Sequence, residues 1–241
     1  MGDWMANNRE GIVIKNIDYT DSSKIIYLIT ELGISSLLAK GARKIKSPLR
    51  QLCQTVSKIS YNQSASKKLP ILYSGDVIDP HMYIIQNLEE TSYVSHIFEI
   101  IYKLSTEIEF KILYKFLCQT LEKINEGVDV ELISFVFELK FLYLLGINPA
   151  FNRCSDCDSK ETTGFDVYRG GMVCSNHTTE YTITDTEFIT GLYKLYYHNI
   201  NEDFDYEINK VLTRKTIDDY YEHYMNFKSK SRAVLKQLYG Y

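Results

Sequence analysis

The hydrophobic period of this chain changes once, at Asp79-Pro80, and that change removes most fold classes from consideration. Upstream, EGIVIKNI, KIIYLITE, SSLLAKG, QTVSKISYN and LPILYSGDVI read as five β-type runs within about 70 residues. DYTDSS, ELG, ARKIKSP and NQSASKK separate them, supplying Asp, Gly, Asn, Ser and Pro where the chain must reverse. Strands without intervening helices argue against a βαβ parallel sheet and for a small antiparallel barrel. The five-stranded OB-fold is the commonest object of that size, an SH3-like barrel the alternative.

Downstream of Pro80 the period is helical. Asn87-x-x-Glu90 reads as a capping box ahead of Val94, Ile97, Phe98, Ile101 and Leu104. Ile108, Ile112, Phe116, Leu117, Leu121 and Ile124 form a second stripe, ended by Asn125-Glu126-Gly127. A third run, from about Glu131 to Leu145, is apolar nearly all round and stops at Gly146, which predicts a central core helix. Thr184-x-x-Glu187 opens a fourth helix reaching about His198, and Leu212 to about Met225 reads as the last. Residues 1 to 9, MGDWMANNR, show no periodicity and read as a loose start. The expected fold class is therefore α+β and multidomain. An N-terminal five-stranded OB-fold barrel (1–80) precedes an all-α domain (81–150 and 178–241) that carries a zinc-binding insertion (151–177).

That insertion rests on Cys154-x2-Cys157 and Cys174-x2-His177, two pairs separated by sixteen residues. A pair three apart grips one side of an ion from a single turn, and a second pair completes a tetrahedron of the thiolates and imidazole that zinc takes in closed structural sites. Four protein ligands leave no position for water, so one structural zinc per chain is expected, stabilising a core-poor segment by on the order of 10 kcal/mol. The alternatives are free thiols or three ligands, with His177 the weakest member. A redox reading of Cys154-x-x-Cys157 is poorer, because the motif follows a helix end rather than opening a helix after a strand. Cys53 and Cys118 read as small buried hydrophobes, and an odd cysteine count does not suit a secreted disulfide framework.

Net charge is −4, yet it is unevenly spread. Residues 1 to 80 carry 11 Lys/Arg against 7 Asp/Glu, and the remainder 16 against 24. KGARKIKSPLR places Lys40, Arg43, Lys44, Lys46 and Arg50 within eleven residues, on what should be a loop between strands. Such a cluster neutralises phosphates whatever the base sequence, although a solubilising loop has the same composition. Tyr19, Tyr27 and Tyr61 could stack on bases or pack in the barrel.

No phosphate-binding GxxxxGK[ST], GxGxxG, GxSxG elbow or HExxH occurs. His81, His96, His198 and His223 are scattered, and Asp218-Asp219 reads as a solvated helix face. The chain is expected not to be an enzyme. Lacking a signal-type apolar run at its start or an unbroken apolar span, it is expected to be a cytoplasmic protein with no membrane association.

GIVIKNIDYTDSSKIIYLITELGISSLLAKGARKIKSPL, ILYSGDVID, NRCSDC…GGMVCSNH and the closing FKSKSR resemble the bacterial RecO family of recombination mediators, from Glu10 onward. The resemblance implies an OB-fold, a helical domain and a zinc-binding insertion. It also implies binding of single- and double-stranded DNA, annealing of complementary strands and, with RecR, loading of RecA onto DNA covered by single-stranded-DNA-binding protein, close to the nucleoid. By position, Lys40, Arg43, Lys44, Lys46 and Lys24 fall where that family presents basic residues to DNA. Cys154, Cys157 and Cys174 match its zinc cysteines, while His177 stands where many members have a fourth cysteine. An RNA-binding OB-fold protein with a structural zinc site is the competing reading, separable by a preference for RNA over DNA of the same sequence. A zinc-dependent hydrolase would need an exchangeable metal position that the filled ligand set lacks.

Overall fold

A computed structural model describes residues 9–66 and 68–232, so most of the aperiodic start, together with Lys67, lies outside the described residues. The chain divides into two compact units, one taking in Met1–Leu104 and Glu109–Glu126, the other Ser105–Ile108 and Gly127–Tyr241.

The first unit is built on five strands: β1 (Arg9–Asp18), β2 (Lys24–Thr30), β3 (Gly33–Ala39), β4 (Lys58–Gln63) and β5 (Leu72–Asp79). They form an antiparallel sheet in the order β3-β2-β1-β4-β5. A parallel bridge between Leu38 and Ile71 joins its two edges, with the Leu38 N–H donating to the Pro70 carbonyl at 2.8 Å. This is consistent with the expected OB-fold. Strand β1 turns the corner, since it pairs with β4 over Arg9–Ile12 and with β2 over Ile12–Asp18, and a register shift between Val13 and Lys15 bends it from one partner to the other.

Alternation along β2 sends Ile26 and Leu28 into the barrel, where they meet Val13, Leu37, Ile59, Tyr61 and Leu72. The opposite face of the strand carries Tyr27, whose ring meets Tyr102 edge-on at 5.4 Å. Helices α1 (Met82–Gln86), α2 (Leu88–Leu104) and α3 (Phe110–Asn125) belong to this same unit. Their apolar stripes are covered by β1, β2 and one another. Asn87 does not close the expected capping box: its side-chain amide donates to the Tyr83 carbonyl at 2.7 Å.

The second unit centres on α4 (Val130–Leu144), in which Ile133, Phe135, Val136, Phe137, Phe141 and Leu142 are wholly buried, as a helix apolar all round requires. Asp129 caps its start by accepting from the amides of Glu131 and Leu132 at 3.0 and 3.1 Å. Gly146, at φ 73°, ends it, and the Ile147 N–H reaches back to the Leu142 carbonyl at 3.1 Å. Helices α5 (Thr186–Tyr197) and α6 (Lys210–Met225) pack against it. The residue that caps α5 is Asp185, not Thr184, accepting from Glu187 and Phe188 at 3.0 and 3.1 Å. Asp218 is half-buried and paired: it accepts from Arg214 at 3.1 Å and lies 3.5 Å from the Arg232 guanidinium. Between α4 and α5 the chain makes a short hairpin of β6 (Gly164–Asp166) and β7 (Gly171–Val173). Among the described residues no helix is long and apolar enough to cross a membrane.

Candidate metal centre and nucleic-acid interface

The hairpin creates the candidate metal centre by drawing two distant turns together. Ala150 donates to the Gly170 carbonyl at 2.9 Å and accepts from Met172 at 2.7 Å, laying the segment before Cys154 alongside β7. Gly171 permits this: a Cβ there would sit 2.3 Å from the Ala150 oxygen, and its φ of 147° is one L side chains avoid. The first ligand turn is closed by Asp158 N–H to Cys154 O at 3.0 Å, the second by His177 N–H to Cys174 O at 2.9 Å.

Cys154, Cys157, Cys174 and His177 consequently converge, their donor atoms all within 4.8 Å of one another. His177 presents Nδ1, which lies 3.6 Å from Cys154 Sγ and 3.2 Å from Cys174 Sγ, and the Cys157 and Cys174 sulfurs are 3.7 Å apart. A tetrahedral zinc with bonds of about 2.3 Å to sulfur and about 2.0 Å to nitrogen has ligand–ligand edges of about 3.5 to 3.8 Å, so the donor set fits such an ion. Burial of Cys154 opposes its thiolate, but the backbone amides of Cys174, Asp156 and Cys157 outweigh that effect and bring the thiol down to about 6. Four protein donors leave no coordination position for a reactive water.

A buttress for this centre went unread in the sequence. Asp166 is wholly buried and accepts from the amides of Tyr168 and Arg169 at 2.9 and 3.3 Å, and from the hydroxyls of Thr179 and Thr182 at 2.5 and 3.0 Å. It ties the hairpin to the segment that follows His177. Its only sequence signal is an acid placed between two glycine-containing turns.

The basic residues sort into two groups. DYTDSS and KGARKIK, about twenty residues apart in the chain, lie side by side. Arg43 donates its amide to the Ser22 carbonyl at 3.0 Å and its guanidinium to the Thr20 carbonyl at 2.7 Å. Asp18 bridges Lys24 at 3.0 Å and Arg43 at 3.3 Å. The Lys24 ammonium hydrogen-bonded to Asp18, with the Arg43 guanidinium beyond it, holds that carboxyl below its ordinary value. Lys24 also donates to Asn16 at 2.9 Å. These two cations therefore organise the loop, whereas Lys40, Lys44, Lys46 and Arg50 are exposed and make no ion pair among the described residues. The path of their loop is fixed from inside, because Ala42, Leu49, Leu52 and Cys53 are part of the barrel core. Turn and loop enclose a shallow recess of about 500 Å³.

Residues 5–81 match the family described as recombination protein O N terminal, and residues 85–233 the family described as recombination protein O C terminal. The protein named DNA repair protein RecO in Bacillus cereus (strain AH187) is 32% identical over 243 residues, covering 97% of this chain and 98% of its own. The Bacillus anthracis protein of the same name gives the same figures, and that of Bacillus cereus (strain B4264) is 31% identical. With both its halves matched and relatives aligned end to end, the chain belongs to the RecO family of recombination proteins.

Proposed function

We propose that this protein is a DNA repair and homologous recombination mediator. It binds single- and double-stranded DNA through the barrel, anneals complementary strands and, with RecR, promotes loading of RecA onto DNA coated by single-stranded-DNA-binding protein. In the basic DNA-binding face, Lys40, Lys44, Lys46 and Arg50 meet the phosphates, while Lys24 and Arg43 hold the loop that presents them. Cys154, Cys157, Cys174 and His177 hold one structural zinc that keeps the hairpin folded, and the protein works by binding, in the cytoplasm near the nucleoid, not by catalysing a reaction.

The observation that carries this reading is the set of four cations that make no ion pair among the described residues, on a loop whose backbone is anchored in the barrel core. Cations with no acidic partner keep their charge available for phosphates, and binding them releases counterions from the strand. A fixed backbone lowers the ordering cost of that contact. The test is acceleration of oligonucleotide annealing at low salt, on bare DNA and on DNA coated by single-stranded-DNA-binding protein, with and without RecR. Annealing on coated DNA that no concentration of this protein accelerates, with RecR present, would contradict the proposal.

A further inference from the structure

Of Tyr19, Tyr27 and Tyr61, the fold leaves Tyr19 free to stack on a base, and it is the one that lines the recess beside the basic loop. Tyr61 is 1% exposed and belongs to the barrel core, and Tyr27 is packed against Tyr102. Tyr19 is 57% exposed. It stands on the turn after β1, which is closed by its own N–H to the Ser23 carbonyl at 3.1 Å and by Ser23 N–H to the Thr20 hydroxyl at 3.1 Å. With Ser22, Leu38, Lys40 and Lys44 it lines the recess between turn and loop.

An exposed aromatic ring beside two ammonium groups that make no ion pair among the described residues is complementary to a single nucleotide, the ring meeting the face of a base and the cations the flanking phosphates. We propose that this recess is a nucleotide subsite in which Tyr19 stacks on an unpaired base of single-stranded DNA while Lys40 and Lys44 hold its phosphates. The inference rests on the reading of the barrel as the DNA-binding face. A base in a duplex has its two faces covered by its neighbours, so Tyr19 adds affinity only for single strands, whereas the cations serve both forms. Stacking uses the π-face and leaves the Watson–Crick edge free. A strand held this way can therefore be read by a complementary strand without being released.

The subsite is set before DNA arrives. Asp18, next to Tyr19, is pinned by Lys24 and Arg43, and Arg43 also holds the Thr20 and Ser22 carbonyls. Ring and ammonium groups thus share one scaffold, and little further ordering is needed on binding.

The experiment uses the full chain with a single-stranded oligonucleotide carrying 2-aminopurine and a duplex of matching sequence, and compares Tyr19→Ala, Tyr19→Phe and Lys44→Glu. Loss of the ring in Tyr19→Ala should weaken single-strand affinity about ten-fold, change duplex affinity by less than about two-fold, and abolish the quenching of 2-aminopurine. Tyr19→Phe should retain single-strand affinity and quenching, because only the ring face is used. Equal effects of Tyr19→Ala on single strand and duplex, no effect on either, or a Tyr19→Phe protein as impaired as Tyr19→Ala would overturn the subsite. Lys44→Glu separates the two levels: if it weakens both DNA forms while Tyr19→Ala is silent, the DNA-binding face stands and the subsite does not. Should Lys44→Glu change neither, the reading of the face itself fails. Tyr19 packs into no core, and unchanged thermal melting of the variants will show that folding is not the cause of any loss.

Discussion

Arg214 meets Glu138 end-on inside the second unit, Nη2 to Oε1 at 2.6 Å and Nη1 to Oε2 at 2.8 Å, locking α6 to α4. The Ser134 hydroxyl donates to the same carboxylate at 2.9 Å, the Phe135 ring lies 4.7 Å beneath the guanidinium, and Tyr221 donates to the Glu138 carbonyl at 2.9 Å. Removing one partner leaves the other charged and desolvated. Arg214→Met or Glu138→Leu alone should cost about 3 to 5 kcal/mol, and the two together far less than the sum. Urea titrations of the four proteins measure the coupling, and single variants within about 1 kcal/mol of the parent would show that the pair does not bear on stability.

Zinc retention tests the fourth ligand. Purified protein should contain one zinc per chain, and His177→Ala should surrender it to chelator far sooner, while His177→Cys keeps it through a fourth thiolate. Gly171→Ala should have a similar effect without touching a ligand, since its Cβ would strike the Ala150 carbonyl at 2.3 Å. The strain is worth on the order of 1 to 3 kcal/mol. Elemental analysis after dialysis against chelator reads all three variants, and unchanged retention in His177→Ala would place the fourth ligand elsewhere.

Salt dependence separates the two groups of cations. Lys44→Gln with Lys46→Gln should lower the slope of log affinity against log salt by about 1.4 on single-stranded DNA, near 0.7 for each phosphate no longer neutralised. Lys24→Gln should change that slope little, because its ammonium already faces Asp18. Binding titrations across salt concentrations decide this, and a slope reduced by about 0.7 in Lys24→Gln would return that residue to the DNA-binding surface.

Acid sensitivity should come from two buried histidines. Burial pushes both His81 and His198 below their ordinary value, the first with Nδ1 2.9 Å from the Val56 carbonyl, the second stacked on Phe204 at 4.1 Å. In the folded chain the neutral rings persist to lower pH than in the unfolded chain, which takes up protons first, near 6.5. Stability is therefore full above that pH and declines as the pH falls through the window beneath it. With zinc in excess, the urea midpoint should drop between pH 7.5 and 5.5, and His198→Phe should lessen the drop. A midpoint flat across this range would refute the assignment.

How much was legible follows from what kind of information each feature needs. The five strands and the long helices were readable because alternation and helical stripes are local, and the four residues that converge as candidate metal donors because both pairs are short-range motifs. Contacts that depend on folding were not. Lys24 and Arg43 look the same as Lys44 in the sequence, and only the approach of Asp18 distinguishes them. Glu138 and Arg214 are 76 residues apart. Thr184 and Asp185 are adjacent residues of similar capping strength, so the choice between them fell to the path of the chain. The stripes of α2 and α3 announced a buried face without naming what covers it, and in the fold that cover includes β1 and β2. The family matches nevertheless break between residues 81 and 85, where the hydrophobic period changes.

The loop from Lys40 to Arg50 intersperses side chains that plug the barrel with side chains that face water. Such a layout uncouples two heritable traits. Exchanges among Lys, Arg and Gln at 40, 44, 46 and 50 would reset the ionic strength at which the face lets go of a strand, yet leave the melting temperature untouched. Lineages living at different internal salt could thus retune grip at these four positions alone, with the fold carrying no memory of the change.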